Sequence, residues 1–67
     1  MNASKEELLE ARRQIDSTLH KLREVVKTLQ AKENPARYQS QITLAERRIA
    51  AFSLANALIE EALRGKL

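Results

Sequence analysis

Residues 34–63 read NPARYQSQITLAERRIAAFSLANALIEEAL, a stretch with no Gly and with no Pro beyond the second position. Eight of its residues recur at alternating steps of four and three, which is the heptad spacing of a helix that packs against another helix. We call such a row of contact residues a seam. The members of this seam are Tyr38, Ile42, Ala45, Ile49, Phe52, Asn56, Ile59 and Leu63. The stretch therefore predicts a long helix with a helical neighbour.

A second apolar stripe runs beside this seam on the same predicted helix. It consists of Leu44, Ala51, Leu54, Ala55, Leu58 and Ala62, and we call it the outer stripe. One neighbouring helix covers one seam, so a helix with two apolar stripes should pack against two neighbours. We predict that the outer stripe is a partner-binding face. Alone, the protein should self-associate through it, and a different protein should compete for the same face.

A matching seam precedes the Asn-Pro pair and follows the same alternating steps. Its members are Leu8, Arg12, Ile15, Leu19, Leu22, Val26 and Leu29. Ser4 with Glu7 three residues later is a capping-box pattern, which predicts that this helix begins at Lys5. The two seams together predict a pair of helices rather than one long helix.

The Asn34-Pro35 pair separates the two predicted helices. Proline disfavours helical geometry in the residue before it, and we expect Asn34 to cap the second helix with Pro35 at its first position. Gly65 should end that helix. We predict an all-α fold in which two long antiparallel helices form an αα-hairpin. Its segments are a helix over 5–32, a turn at 33–34 and a helix over 35–64, within a single domain over 1–67.

The hairpin also predicts which residues face each other. With a turn at 33–34, apolar seam residues meet apolar ones, as Leu22 meets Ala45, and the agreement along both seams supports the hairpin. The two polar seam residues, Arg12 and Asn56, fall at one level. We interpret Asn56 as a residue that fixes the register, because a buried Asn disfavours slipped pairings. The alternative is that it faces a partner or solvent.

Composition narrows the class of protein. Of the 67 residues, 31% are charged and 43% are hydrophobic, with one Gly and one Pro, which is typical of long helices rather than of sheets. There is no Cys and hence no disulfide framework. No apolar run is long enough to span a bilayer, and the N-terminal residues lack the basic and apolar regions of a signal peptide. We expect a cytoplasmic protein with no membrane partner.

Few side chains in the sequence could support catalysis or metal binding. His20 is the only histidine, and no Cys–His or carboxylate–His spacing accompanies it. The serines have no neighbouring base that could activate them as nucleophiles. We expect no catalytic residues, no metal ligands and no cofactor.

One motif points to an enzyme but is incomplete. Arg12-x-x-Ile15-Asp16 resembles the first-helix motif of the all-helical chorismate mutases. That family needs a second arginine further down the same helix, where this chain has Thr28 and Leu29, and it needs polar residues from a third helix. We therefore expect that the protein is not an enzyme.

The basic character of the chain is modest. The net charge is +3, with pairs at Arg12-Arg13 and Arg47-Arg48, and the other cations fall on several helix faces among acidic residues. A nucleic-acid footprint should be a basic stripe, preferably with exposed aromatic residues, yet both aromatic side chains lie on the seam. We predict no nucleic-acid partner. A small helical-hairpin dimer that binds RNA is the alternative.

The turn and the second helix resemble a known family. The segment Asn34-Pro35-Ala36-Arg37-Tyr38-Gln39 is followed by Leu44, Glu46, Ala51 and Asn56 before an apolar end. This pattern resembles the E-subunit co-chaperones of type III secretion needles, the group of YscE, PscE and SsaE. The resemblance covers about residues 34–59 and centres on the [Asn/Asp]-Pro-x-x-Tyr-Gln turn. The first helix agrees with the family in length and amphipathicity only.

The resemblance implies a specific function. Such co-chaperones are two-helix hairpins that bind a tetratricopeptide-like G-subunit chaperone in the bacterial cytoplasm. The pair keeps the needle subunit soluble and monomeric until export. The resemblance therefore implies that this chain binds a helical-repeat chaperone, with the needle subunit in the same complex. Needle subunits are also hairpins with a Pro-containing turn, but the capped start and the outer stripe of this chain fit the co-chaperone better.

Overall fold

The computed structural model describes residues 2–65, which form two long helices lying side by side. Helix α1 spans Lys5–Gln30 and helix α2 spans Gln39–Leu63, with a short 3-10 helix over Pro35–Tyr38 between them. The early part of α1 contacts the late part of α2, so the helices are antiparallel. The described residues fill a rod of about 47 × 16 × 14 Å. The predicted all-α helical hairpin is confirmed.

Helix α1 begins where the sequence predicts. The Ser4 hydroxyl accepts a hydrogen bond from the Glu7 backbone N–H at 3.1 Å, and the Ser4 N–H donates to the Glu7 carboxylate at 2.9 Å. This capping box supplies partners at the helix start, where the first backbone N–H groups have none within the helix. The backbone N–H of Ser4 and, to a smaller extent, its side chain stabilise the Glu7 carboxylate and lower the pKa of Glu7. The contribution of this carboxylate to the helix start is therefore present at neutral pH and is lost as the pH falls through that lowered pKa.

The connection between the helices is longer than the predicted turn at 33–34. Helix α1 ends at Gln30 rather than near Lys32, because the Ala31 N–H already shares its bond between the Thr28 and Lys27 carbonyls. This sharing of i−3 and i−4 acceptors is common where an α-helix ends. The chain is therefore outside α-helix over residues 31–38.

The second helix also starts differently from the prediction of a single helix over 35–64. Pro35–Tyr38 is 3-10, and the α-helix begins at Gln39. The predicted side-chain cap by Asn34 is absent; instead the Asn34 carbonyl accepts from the Arg37 N–H at 3.1 Å. An i-to-i+3 bond of this kind defines a 3-10 turn, which often precedes an α-helix.

The far end of α2 follows the prediction closely. The helix ends at Leu63, one residue before the predicted end, and Gly65 has a positive φ of 74°. The Gly65 N–H donates to the Ala62 carbonyl at 3.0 Å, which gives that carbonyl a partner at the helix end. A residue with a Cβ would be strained in this conformation, so glycine ends the helix here.

The core lies between the two seams, as predicted. Leu19, Ile42 and Ala45 are buried, with 5%, 3% and 5% of their surface exposed. Every other member of the two seams is half-buried, including Ile15 and Phe52. Two helices in contact can enclose only the strip where they touch, so each seam is covered from one direction only.

We predict that truncating the core residues is costly. Leu19→Ala or Ile42→Ala should lower the free energy of unfolding by about 2–5 kcal/mol, because each removes a buried aliphatic side chain and leaves a cavity. The control is Leu9→Ala, at a residue 38% exposed and outside both seams, which should cost about 1 kcal/mol or less. Urea unfolding followed by circular dichroism measures both. Equal losses at Leu9 and Leu19 would contradict this placement of the core.

Candidate partner-binding surface

One side of the hairpin is closed by polar bonds between the helices. Arg12 forms an ion pair with Glu60, and the Asn56 Nδ2 donates to the Asp16 Oδ1 at 2.6 Å. The two residues on α1 are four positions apart, and so are the two on α2, so each pair shares a helix face. We call this the polar side of the hairpin.

These partners differ from the predicted pairing of Arg12 with Asn56. Arg12 instead meets Glu60, four residues further along α2, and Asn56 meets Asp16. Two physical reasons account for the difference. The connection over 31–38 is centred later than the predicted turn, and side chains lean toward the N-terminus of their own helix. In an antiparallel pair, both effects shift the partner of each α1 residue to a residue further along α2.

Asn56 makes only part of its possible hydrogen bonds. Its Nδ2 binds Asp16, but its Oδ1 is buried and has no hydrogen-bond partner among the residues that the structure describes. Because the bond to Asp16 crosses between the helices, it supports the interpretation that Asn56 fixes the register. Asp16 and Glu60 lie just beside the seams, and this is why the seam pattern alone did not identify them. The sequence signal was a pair of polar residues four apart on each helix.

A crosslinking experiment distinguishes the two registers. We expect the double variant Asp16→Cys with Asn56→Cys to crosslink within one chain faster than Arg12→Cys with Asn56→Cys, because only the first pair is in contact. A short bis-thiol reagent and electrophoresis under denaturing conditions measure the rates. Faster crosslinking of the second pair would restore the register predicted from sequence.

The outer stripe lies on a different side of α2 and is largely open to water. Leu44, Leu54 and Leu58 are 48%, 63% and 47% exposed, and Ala51 is also exposed. The remaining two members, Ala55 and Ala62, are half-buried, because they lie closer to the seam. The structure thus places all six predicted residues along one helix, over roughly 27 Å at 1.5 Å per residue. What binds them stays a prediction.

The exposed side of α2 carries no charge along its middle segment, which is unusual. No Lys, Arg, Asp or Glu occurs between Ile49 and Ile59, although α1 covers only one side of this segment. Helix α1, by contrast, carries charged residues over most of its outer surface. A helix that is apolar on all sides is normally buried on all sides, and a contiguous exposed apolar patch marks an interaction site.

Helix α1 adds a residue that the sequence analysis missed. Val25 is 47% exposed and flanks the α1 seam on the side opposite Arg12 and Asp16. On α2, Ala55 likewise flanks the seam on the side opposite Glu60. The polar bonds join one flank of the α1 seam to the facing flank of the α2 seam. The two remaining flanks, which carry Val25 and Ala55, therefore lie on the same side of the hairpin. The signal in the sequence was a third α1 heptad row, made of Ala11, Thr18 and Val25.

The structure adds little to the other candidate chemistry. His20 is exposed, and residues 2–65 contain no group of three or more His, Asp or Glu side chains placed to hold a metal ion. Over the same residues, neither long helix has the apolar length needed to cross a bilayer. Near the start of α1, hydrogen bonds from Gln14 and then Arg13 lower the pKa of Glu10, an exposed carboxylate.

Comparison of the chain with protein-family models, with curated proteins and with solved structures gives no match. The site is therefore defined by its geometry: an apolar strip on one long helix, on the side of the hairpin away from the polar bonds.

Proposed function

We propose that this chain is a co-chaperone of a type III secretion system. It binds a tetratricopeptide-like chaperone in the bacterial cytoplasm and helps keep the needle subunit soluble before export. The observation that carries the proposal is the exposed outer stripe with its charge-free segment between Ile49 and Ile59. The resemblance of residues 34–59 to the E-subunit co-chaperones supplies the class of partner.

The stripe has the properties that a helical-repeat partner requires. Helical repeats stack into extended concave surfaces, and an amphipathic helix binds such a surface through residues three or four positions apart. Leu44, Leu54 and Leu58 supply apolar area, while the small Ala51 lets a partner helix approach closely. The hairpin holds these residues on one continuous helix, so they are already aligned before binding.

The rest of the hairpin supports α2 rather than contacting the needle subunit in this proposal. Helix α1 covers the seam of α2 that runs from Tyr38 to Leu63, which we call the inner seam. The polar side keeps the two helices together through Arg12–Glu60 and Asp16–Asn56. The bound chaperone covers the outer stripe. The needle subunit is held by the same complex and is protected from assembly until export.

The test is a charge placed in the middle of the stripe. Leu58→Asp should keep the helical circular dichroism, because the seam is untouched, yet reduce binding to the purified chaperone at least a hundredfold. An unpaired carboxylate buried at the interface costs several kcal/mol, and about 2.7 kcal/mol corresponds to a hundredfold change in Kd. Isothermal titration calorimetry measures the Kd.

The matched control is Leu9→Asp. Leu9 is the same residue type with similar exposure, 38% against 47%, but it lies on α1 outside the outer stripe. This variant should bind the chaperone like the parent. If Leu58→Asp binds as tightly as the parent, the docking face lies elsewhere; if both variants lose binding, the effect is not specific to the stripe.

Salt dependence separates this proposal from the RNA-binding alternative. RNA binding through Arg47 and Arg48 should weaken steeply with rising salt and disappear in the double variant Arg47→Glu with Arg48→Glu. Chaperone binding through the apolar stripe should survive raised salt. The structure gives RNA no exposed aromatic platform, because Tyr38 and Phe52 are both half-buried. A steep salt slope with the purified chaperone would count against the proposal.

A further inference from the structure

The exposed side of α2 carries a second row of residues at heptad spacing. Its residues alternate at steps of four and three, each two positions after a member of the inner seam. We call this the outer seam: Ser40, Leu44, Arg47, Ala51, Leu54, Leu58 and Glu61. All are exposed except Glu61, which is half-buried. Residues at this spacing pack against another helix, and the hairpin itself covers none of its exposed members.

The charges on the outer seam determine which orientation of a second copy fits. The centre is apolar, with Ala51 and Leu54, while Arg47 lies toward one end and Glu61 toward the other. If two copies pack in parallel, Arg47 meets Arg47 and Glu61 meets Glu61. If they pack antiparallel, each Arg47 lies beside the Glu61 of the other copy. Like charges at an interface are costly, so the seam is self-complementary in the antiparallel orientation only.

The whole hairpin shows the same polarity along its length. The turn half, residues 20–48, has seven Lys or Arg and three Glu, a net charge of +4. The open half, residues 5–19 and 49–65, has four Lys or Arg and six Asp or Glu, a net charge of −2. An antiparallel pair places each turn half beside the open half of the other copy. Long-range attraction therefore favours the same orientation.

We infer that the outer seam is the interface of an antiparallel homodimer, in which α2 of one hairpin packs on α2 of the other and the two α1 helices lie on the outer sides. Ala51 of each copy packs against Leu54 of the other at the centre, which sets Arg47 level with Leu58 of the other copy. Glu61 of that copy lies three residues further on, roughly 4.5 Å along the helix axis, so the long Arg47 side chain reaches it at both ends. Glu61 already accepts a hydrogen bond from Arg64 through one carboxylate oxygen, at 3.2 Å. Its other oxygen is available to Arg47 of the second copy.

This dimer is independent of the proposed function, because it follows from the spacing of α2 and the charges of the hairpin. It also has a consequence for any other partner. Leu44, Leu54 and Leu58 belong both to the outer seam and to the outer stripe, so a protein that binds the stripe must displace the second copy. The dimer is then the form in which the free chain covers its apolar side.

Complementary charge variants test the inference. Sedimentation equilibrium at low salt should show a dimer for the parent chain, and a dimer Kd raised tenfold or more for Arg47→Glu and for Glu61→Arg separately. Each single variant places like charges at both ends of the interface. Lys21→Glu, with the same charge change as Arg47→Glu but on α1, is the control and should raise the Kd much less, because it weakens only the long-range attraction and places no like charges in contact.

Mixing the two single variants should restore association as a heterodimer. At one end the introduced carboxylate faces the introduced guanidinium, and at the other end the native Arg47 and Glu61 face each other. This step distinguishes a broken interface from a misfolded chain, since unfolded variants do not rescue each other. A parent chain that is monomeric, or a dimer whose Kd is unchanged in both single variants, would overturn the inference. So would a mixture that stays monomeric.

Orientation is measured separately with a nitroxide attached to Glu33→Cys at the turn. In the antiparallel dimer the two labels lie at opposite ends, roughly 55 Å apart from the rise of 1.5 Å per residue on both sides of the dimer centre. Double electron–electron resonance should give that long distance. A short distance, with the labels side by side, would show a parallel dimer and would overturn the assignment of Arg47 to Glu61.

Discussion

One α-helix can cover only one side of another, and this geometric limit governs the whole molecule. Helix α1 is strongly amphipathic, so a single neighbour satisfies it. Helix α2 is apolar on two sides, and α1 covers one of them. The exposed leucines of α2 follow directly from a two-helix fold that carries a sequence suited to a bundle of more helices. In both proposals, the chaperone complex and the homodimer, another molecule covers that second side.

The two flanks of the hairpin differ in polarity. On one flank, the polar side closes the edge between the helices with a hydrogen bond and an ion pair. Partly exposed ion pairs of this kind contribute little to stability. On the other flank, the exposed Val25 and the half-buried Ala55 and Ala62 are apolar, with Arg48 in the same row of α2. In our proposal the partner therefore approaches the hairpin away from the polar side.

The features that sequence could predict are those set by local or periodic rules. The start of α1 depends on two residues, Ser4 and Glu7, and both seams depend on spacing alone. The exposure of Leu54 and Leu58 followed from counting two stripes against one neighbour. In each case a short-range pattern determines the outcome, so no knowledge of the three-dimensional path was required.

The features that sequence did not predict depend on how the chain turns. The extent of the connection reflects competition between α and 3-10 hydrogen bonds around Pro35, which differ little in energy. The partners of Arg12 and Asn56 depend on that extent and on the lean of each side chain. Val25 was missed because its exposure matters only once the two flanks are known to differ. Each of these needs the relative placement of two helices, which a pattern on one helix does not contain.

We expect the hairpin to open first near Asn56. A buried carbonyl oxygen without a donor costs about 1–3 kcal/mol, and this one lies in the half of the hairpin that no loop holds closed. Local opening follows the least stable layers, so amide exchange should be fastest there and slowest near Leu19 and Ile42. The same half contains the charge-free segment of α2. We therefore expect that a molecule bound to this segment also holds the open half of the hairpin closed.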